Sequence, residues 1–413
     1  MLGYYLLIVL SIATAFCSAC GRKSAGAEKT ISTEKKLFPT EPFRSVRAFV
    51  SPVALSDWGK LNSSPPEFPF IEPSDAQGIV QIVTWAKVSR VKLRVRGRGH
   101  SMDGKSLPQA NELLVLTGNL RSMRKVSDGL IEVGAGVSLY AINQWLRKFG
   151  KSLPVHNDGL VGPSVGGFIS AGGIGRGSRH HGGFWNNVTQ ITLVDGTGNV
   201  RILDESQPAF PWLFGSMGQL GIITSARLKI VPLEGQEQKT LPAEDTIGET
   251  WQTEPGMVKQ TEDSYNNEYL YWFSIFAPAS EEKKLRSELN AIKQREPDLL
   301  KFMPEYFWPM KYSKFTPPLL FSSKADFVCI GIWGHIDSAI DRNEKNRRVL
   351  RLENEITVLL RRHPGYRRYI QSEVIPSPSR LKSYFSPAVL AHLKALKSDF
   401  DPQGILNPIE GLF

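Results

Sequence analysis

Arg96-Gly97-Arg98-Gly99-His100-Ser101 follows the alternating run Val91-Lys92-Leu93-Arg94-Val95, so a strand leads into a turn that presents one histidine after two glycines. Glycines at 97 and 99 admit positive φ and carry no side chain, so successive N–H groups can converge on an anion such as a pyrophosphate. The spacing is not Gly-x-Gly-x-x-Gly, because the third glycine is missing and the residues that follow have no helical pattern. Taken alone, the six residues favour a tight strand-to-loop turn with a surface histidine.

Two further segments change that reading. Residues 159 to 175 run Gly-Leu-Val-Gly-Pro-Ser-Val-Gly-Gly-Phe-Ile-Ser-Ala-Gly-Gly-Ile-Gly, which is too glycine-rich for an ordinary core element, since each ordered glycine costs about 0.5 to 1 kcal/mol relative to alanine. Gly218-Gln219-Leu220-Gly221-Ile222-Ile223-Thr224 then enters a strand that continues through Ala226, Leu228, Ile230 and Val231. The three segments, in this order, are specific together.

From about residue 45 to 232 the chain resembles the FAD-binding domain of the vanillyl-alcohol oxidase superfamily, and within it looks most like cytokinin dehydrogenases. The resemblance resumes in Asn346-Arg347-Arg348-Val349-Leu350-Arg351 and in Asp401-Pro402-Gln403-Gly404-Ile405-Leu406-Asn407-Pro408. It implies an α+β fold: a two-subdomain PCMH-type FAD-binding domain with an antiparallel-sheet cap over the substrate. It also assigns FAD contacts to Arg96, Gly97, Arg98, Gly99, His100 and Ser101 in the first turn. Val165, Gly166, Gly167, Ser170, Gly173 and Gly175 supply contacts from the second run, and Gly221, Ile222, Ile223 and Asn407 supply the rest. The family's histidine joined to the flavin 8α-methyl falls on His100. Bicovalent members carry a cysteine near position 160, where this chain has Leu160, so a single covalent link is expected.

Oxidation of an alcohol or amine sends a hydride to flavin N5 while a base takes the O–H or N–H proton. By resemblance the base is Asp158, although counting back from Val165 places Gly159 there and the match takes a one-residue insertion. Asn157-Asp158-Gly159 also makes an ordinary turn. His180 and His181 follow the glycine run, in a segment that is similar to decaprenylphosphoryl-ribose oxidases, and Tyr369 matches a tyrosine reaching the site from the cap. The family's C-terminal Pro-Gly-Gln reads Pro408-Ile409-Glu410 here. A carboxylate beside the ring would disfavour anionic reduced flavin unless it is turned away. The electron donor is accordingly a small amine or alcohol, with a sugar, polyol or aldonolactone as the alternative and a non-catalytic flavin-binding envelope protein as the remaining one. Oxygen or a quinone would accept the electrons.

The 413 residues, 41% hydrophobic, can bury ample core, and the three cysteines (Cys17, Cys20, Cys329) form no metal-binding pattern. No metal and no internal disulfide are expected. The net charge of +10 is densest over Arg342 to Arg368, where Val349, Leu352, Ile356, Leu359 and Leu360 keep helical spacing, so the arginines read as a solvated helix face. Attraction to anionic lipid or a phosphorylated substrate is the lesser reading, and no nucleic-acid motif accompanies the charge.

Leu2 to Ala19 is apolar and ends in small residues before Cys20, as in an export signal or lipoprotein leader. Arg22 and Lys23 after it, with no Lys or Arg ahead, fit an uncleaved anchor instead. An extracytoplasmic place, secreted or membrane-associated through the N-terminus, is expected. The domain plan is a leader over 1–20, a polar tether over 21–44, the FAD-binding domain over 45–233, a cap over 234–385 and a C-terminal return over 386–413. Within the cap, Tyr306, Phe307, Trp308 and Tyr312 lie among four prolines and read as an irregular loop.

Overall fold

The computed structural model describes residues 48–51, 53–157, 162–233, 268–295, 297, 305–321, 323–337, 339–369, 384–410 and 412. The expected leader and tether, and Asp158 with residues 159–161, lie outside them.

Asp75 starts the first helix, α1 (Ala76–Ser89), by accepting the Gly78 N–H at 2.7 Å. Ile79, Ile82, Val83 and Ala86 form its buried stripe. It covers a four-stranded sheet built from β1 (Ala48–Ser51), β2 (Phe68–Ile71), β3 (Lys92–Arg96) and β4 (Glu112–Leu116), in the order β1-β2-β4-β3. The outer pair is antiparallel, whereas β2, β4 and β3 run parallel. The free edge of β3 is taken by the far end of the chain. Leu93 N–H donates to the Ile405 carbonyl and Asn407 N–H to the Leu93 carbonyl, both at 2.8 Å.

The second sheet is antiparallel, in the order β5-β6-β10-β8-β9. Its strands are β5 (Met123–Ser127), β6 (Leu130–Gly134), β8 (Val188–Val194), β9 (Val200–Asp204) and β10 (Ile222–Lys229). The pair β8 and β9 closes through a turn at Asp195-Gly196-Thr197-Gly198. A short pair, β7 (Lys151–Ser152) with β11 (Val231–Pro232), sits beside it. Ser138 caps α2 (Leu139–Arg147) through the Ala141 N–H at 3.0 Å. Inside the glycine run, Ser164 caps the seven-residue α3 (Val165–Ala171), which packs on β6 and β10. The four-residue α4 (Ser178–His181) follows it.

The third sheet has the order β13-β14-β12-β15, all antiparallel, from β12 (Glu268–Pro278), β13 (Glu305–Met310), β14 (Phe327–Asp337) and β15 (Arg367–Arg368). Its two faces follow the period of two. Tyr271, Phe273, Ile275 and Ala277 pack under α5 (Glu282–Arg295) and α6 (Arg342–Arg362). Phe276, Met310, Phe327, Cys329 and Tyr369 join the core of the first two sheets instead. The arginine-rich helix expected from Arg342 therefore forms, with Val349, Leu352, Ile356 and Leu359 buried. The irregular loop expected around Trp308 does not: residues 305–310 are a strand. Pro309 is accommodated because β13 lies at the sheet edge, paired on one side only. The last helix, α7 (Pro387–Phe400), leads back to the first sheet, and Asp401 receives the N–H groups of Ile405 and Leu406 at 3.0 and 2.8 Å.

Candidate flavin site

The first and second glycine segments meet. An added Cβ at Gly97 would stand 2.0 Å from Ser164 Oγ, so the turn after β3 lies directly on the cap of α3. Gly166 permits a second close approach. Its Cβ would come within 3.0 Å of Ala135 Cβ, and its N–H donates to the Ala135 carbonyl at 2.9 Å. The glycines of the run thus bring helix and strand together, and their amides are engaged internally. Gly167 N–H reaches Ser164 Oγ at 3.3 Å, Gly173 N–H the Phe168 carbonyl at 2.8 Å, and Gly175 N–H Ser178 Oγ at 3.0 Å. What the run offers outward is a low surface at Gly166, Gly167 and Ser170, all at least partly accessible beside buried Val165. The third segment is mostly core: Ile222 and Ile223 are buried in β10, and Gly221 lies against Leu193.

The anion-binding character resides in the first turn. Gly99 and His100 N–H have no partner among the described residues. Arg96 is buried and braced, Nη1 donating to Ser106 Oγ at 3.0 Å and Nη2 to the Ser56 carbonyl at 3.1 Å. Burial lowers its guanidinium to about 10, an effect Asp57 opposes. A side chain at Gly99 would strike that guanidinium at 2.3 Å. Arg98 is partly accessible and is lowered by burial too. Ser101 donates through Oγ to Asp103, whose carboxylate also holds Lys105 Nζ at 2.6 Å.

His100 stands among these charges as a neutral base. Burial, then Arg98, then Arg96 push its imidazole down to about 3. The residue stays partly accessible, whereas Nε2 is buried with no hydrogen-bond partner among the described residues. Such atoms are rare in folded proteins and point to a group that something else completes. A neutral imidazole also retains a nitrogen lone pair, which attachment to carbon requires. The residues present therefore fit a flavin joined at His100. The arginines and free amides of the turn would face the pyrophosphate, and the α3 surface would lie against the cofactor.

Asn407 sits elsewhere in the design. Its Oδ1 accepts the Val95 N–H at 2.8 Å and its Nδ2 donates to the Gly218 carbonyl at 2.9 Å. That amide is committed to backbone, so it ties the C-terminal strand to both glycine turns. Glu410 is exposed, where solvent screens its charge. His180 and His181 are exposed on α4. Tyr369 is buried on the inner face of the third sheet, edge-on to Trp272 and Phe276 at 5.4 and 5.9 Å. Burial, with Cys329 and Asp103, pushes its phenol well up, so it keeps its proton.

Several residues here had no motif to announce them. Trp58 stacks on His100, and the inner sheet face brings Trp272 and Ser274 toward Gly331, where a Cβ would stand 3.1 Å from Trp272 Nε1 and 2.4 Å from Ser274 Oγ. The one signal for Trp58 is an aromatic in an otherwise polar Asp57-Trp58-Gly59 loop.

A model of the FAD binding domain matches residues 69–204, from β2 to the end of β9. Those residues are an FAD-binding domain. With the antiparallel third sheet over it, the architecture is the PCMH-type fold with a substrate cap. The chain is 31% identical over 202 residues to D-arabinono-1,4-lactone oxidase of Saccharomyces cerevisiae, covering 47% of this chain and 36% of that protein. It is 29% identical over 186 residues to cytokinin dehydrogenase 5 of Arabidopsis thaliana, covering 43% and 34%. With cytokinin dehydrogenase 1 of the same plant it shares 28% over 254 residues, covering 56% and 42%. The matched stretch spans about a third of the length of the first two relatives. Similarity to lactone oxidases and to cytokinin dehydrogenases alike identifies the flavin domain; it does not favour cytokinin dehydrogenase as the kinship, contrary to the sequence expectation.

Proposed function

We propose that the protein is a flavin-dependent oxidase or dehydrogenase of a sugar-derived lactone or polyol, with FAD joined to His100. Bound flavin supplies the hydride acceptor at N5. The chain's own contribution is the neutral His100 in its electropositive turn and a cap face of mainly aromatic and apolar groups. The single observation that carries the substrate class is the inner face of the third sheet. Leu270, Trp272, Ser274 and Phe276 from β12, Cys329 and Gly331 from β14, and Tyr369 after β15 bring no carboxylate to it, and the register sets one cation, Arg367, opposite Phe276. An aliphatic amine, protonated at neutral pH, needs a buried anion to bind in such a site, whereas an N6-alkylated adenine is neutral and is told apart by turnover. A polyhydroxylated neutral ring needs aromatic walls and a few hydroxyl or N–H partners, which Trp272, Ser274 and Tyr369 offer. Tyr369, keeping its proton, acts as a donor that orients substrate, which leaves His181 or Asp158 to take the proton.

A second reading is the oxidation of a secondary amine, favoured by the similarity to cytokinin dehydrogenases. Either activity would be exercised outside the cytoplasm if the apolar segment Leu2 to Ala19 directs export. The test is oxygen uptake and dye reduction by purified protein with D-arabinono-1,4-lactone, xylitol and an N6-alkylated adenine. Acid-denatured protein should stay yellow, and His100→Ala should release the colour. Turnover of lactone or polyol supports the proposal, turnover of the adenine alone replaces it with the amine reading, and protein that never carries flavin removes both.

A further inference from the structure

His100 has the chemistry of an attachment point, but a neutral imidazole needs its rotation fixed by something. The torsion that turns the ring is broad and two-fold, and Nε2 has no hydrogen bond among the described residues to hold it. Burial, with the neighbouring arginines, keeps the ring uncharged without fixing its rotation.

Trp58 supplies the constraint. Its indole lies over the imidazole with 4.0 Å between centroids and 19° between planes. Its backbone N–H donates to the Ser101 carbonyl at 2.9 Å, so one residue grips both the ring and the turn that carries it. The loop behind the indole is itself tied. The Asp57 carboxylate accepts Leu61 N–H at 3.1 Å, Asn62 N–H at 3.4 Å and Asn62 Nδ2 at 2.6 Å. Asp57 N–H donates to the Asn62 carbonyl at 3.2 Å, and Lys60 N–H to the Asp57 carbonyl at 3.1 Å. On the far side, the Gly59 carbonyl accepts Leu270 N–H at 3.0 Å, and a Cβ at Gly59 would meet Leu270 O at 2.5 Å. The loop is thereby wedged between the histidine turn and the first strand of the cap sheet, and Trp58 cannot swing away from His100 without breaking it.

We infer that Trp58 is a positioning residue for flavin attachment, stacking on His100 to hold the imidazole in the plane from which a ring nitrogen meets the flavin 8α-methyl carbon. The inference rests on His100 being the attachment site. In the step it serves, one C–H bond of the methyl group and the imidazole N–H break and a nitrogen–carbon bond forms. The two hydrogens, with two electrons, pass to the isoalloxazine, and dioxygen removes them as hydrogen peroxide. Trp58 contributes no atom to this exchange.

The test uses flavin-free full-length protein from riboflavin-starved cells, mixed with FAD. Total bound FAD is measured after desalting, and covalent FAD by fluorescence of the band on a denaturing gel, over time. Trp58→Ala should bind FAD yet attach it about tenfold or more slowly, since misplacement of reacting groups by about 1 Å costs up to about a hundredfold. Trp58→Phe, which keeps an aromatic face, should attach at close to the wild-type rate, and Trp58→Leu should behave like Trp58→Ala. Attachment by Trp58→Ala at the wild-type rate overturns the inference. So does equal attachment by Trp58→Leu and Trp58→Phe, which would reduce the indole to filler, and this comparison decides the matter if Trp58→Ala does not fold. Wild-type protein whose FAD remains dissociable overturns the reading of His100 instead, and is told apart because every variant then behaves alike.

Discussion

Arg368 with Glu353, beneath the cap helices, and His100 with Arg96 and Arg98, in the flavin domain, are both buried ionisable clusters, but the first is built on an ion pair and the second on a neutral ring beside two cations. Arg368 Nη1 and Nη2 meet the two Glu353 oxygens at 2.5 and 2.8 Å, and Tyr271 OH donates to the same carboxylate at 2.7 Å. All three residues are sealed between β12, β15 and α6. Around His100, burial and then two guanidinium groups keep the imidazole uncharged, and its buried Nε2 has no hydrogen-bond partner among the described residues. Burial by itself therefore does not mark function. An ion pair that joins two elements marks structure, and a neutral ring whose buried nitrogen has no partner among the described residues marks a place that another molecule can complete.

The largest effect expected from breaking this contrast is in the closed cluster. Arg368→Met strands Glu353 and should cost about 3–5 kcal/mol of stability in urea unfolding, while the protein that remains folded attaches flavin as before. Loss of attachment in that folded fraction would show that the clusters are not separate. A smaller effect, up to about 3 kcal/mol, is expected for Gly97→Ala, whose methyl would overpack against Ser164. Here flavin retention should fall together with stability, and adding Ser164→Ala should return part of both. Unchanged retention would mean that the two glycine segments need not touch.

The third expectation concerns pH and flavin-free protein. Burial, aided by Asp103, raises Asp57 from 3.8 to about 6. Its folded form holds the proton more tightly than the unfolded chain does, so this contribution to stability is full below about pH 4 and lost as pH rises through 6. His100 is lowered from 6.5 to about 3, so its contribution is present above 6.5 and lost as pH falls. Between pH 4 and 6 the two slopes oppose one another. His100→Ala should unmask a fall of about 2 kcal/mol as pH rises across that range, and Asp57→Asn a rise of about 2 kcal/mol. Parallel curves for wild type and both variants would rule out these two groups as the titrating pair.

Much of this was legible in the chain because it depends on local pattern. The alternation from Val91 to Val95 gave β3 to within a residue at either end, and the spacing of Val349, Leu352, Ile356 and Leu359 gave the helix from Arg342. The glycine segments announced themselves by being costly. Their division of labour was not legible: whether an amide faces a neighbour or a ligand depends on which strand comes alongside, and Gly166 is satisfied by Ala135, 31 positions away. Trp58 was illegible for the same reason. It lies 42 positions before His100, in a loop with no period, and its role exists only once the turn folds beneath it. The strand at residues 305–310 was hidden by Pro309, which is readable as an edge proline only when the neighbouring strands are known.

The strand Ile405–Asn407 has a consequence in time. Val95, five residues before His100, donates its N–H to a side chain that lies 312 residues later in the chain. During synthesis the histidine turn therefore leaves the ribosome long before the edge that fixes it. A product truncated before residue 405 would keep the glycine turns yet lack the edge that pairs with β3 and the side chain that joins Val95 to Gly218.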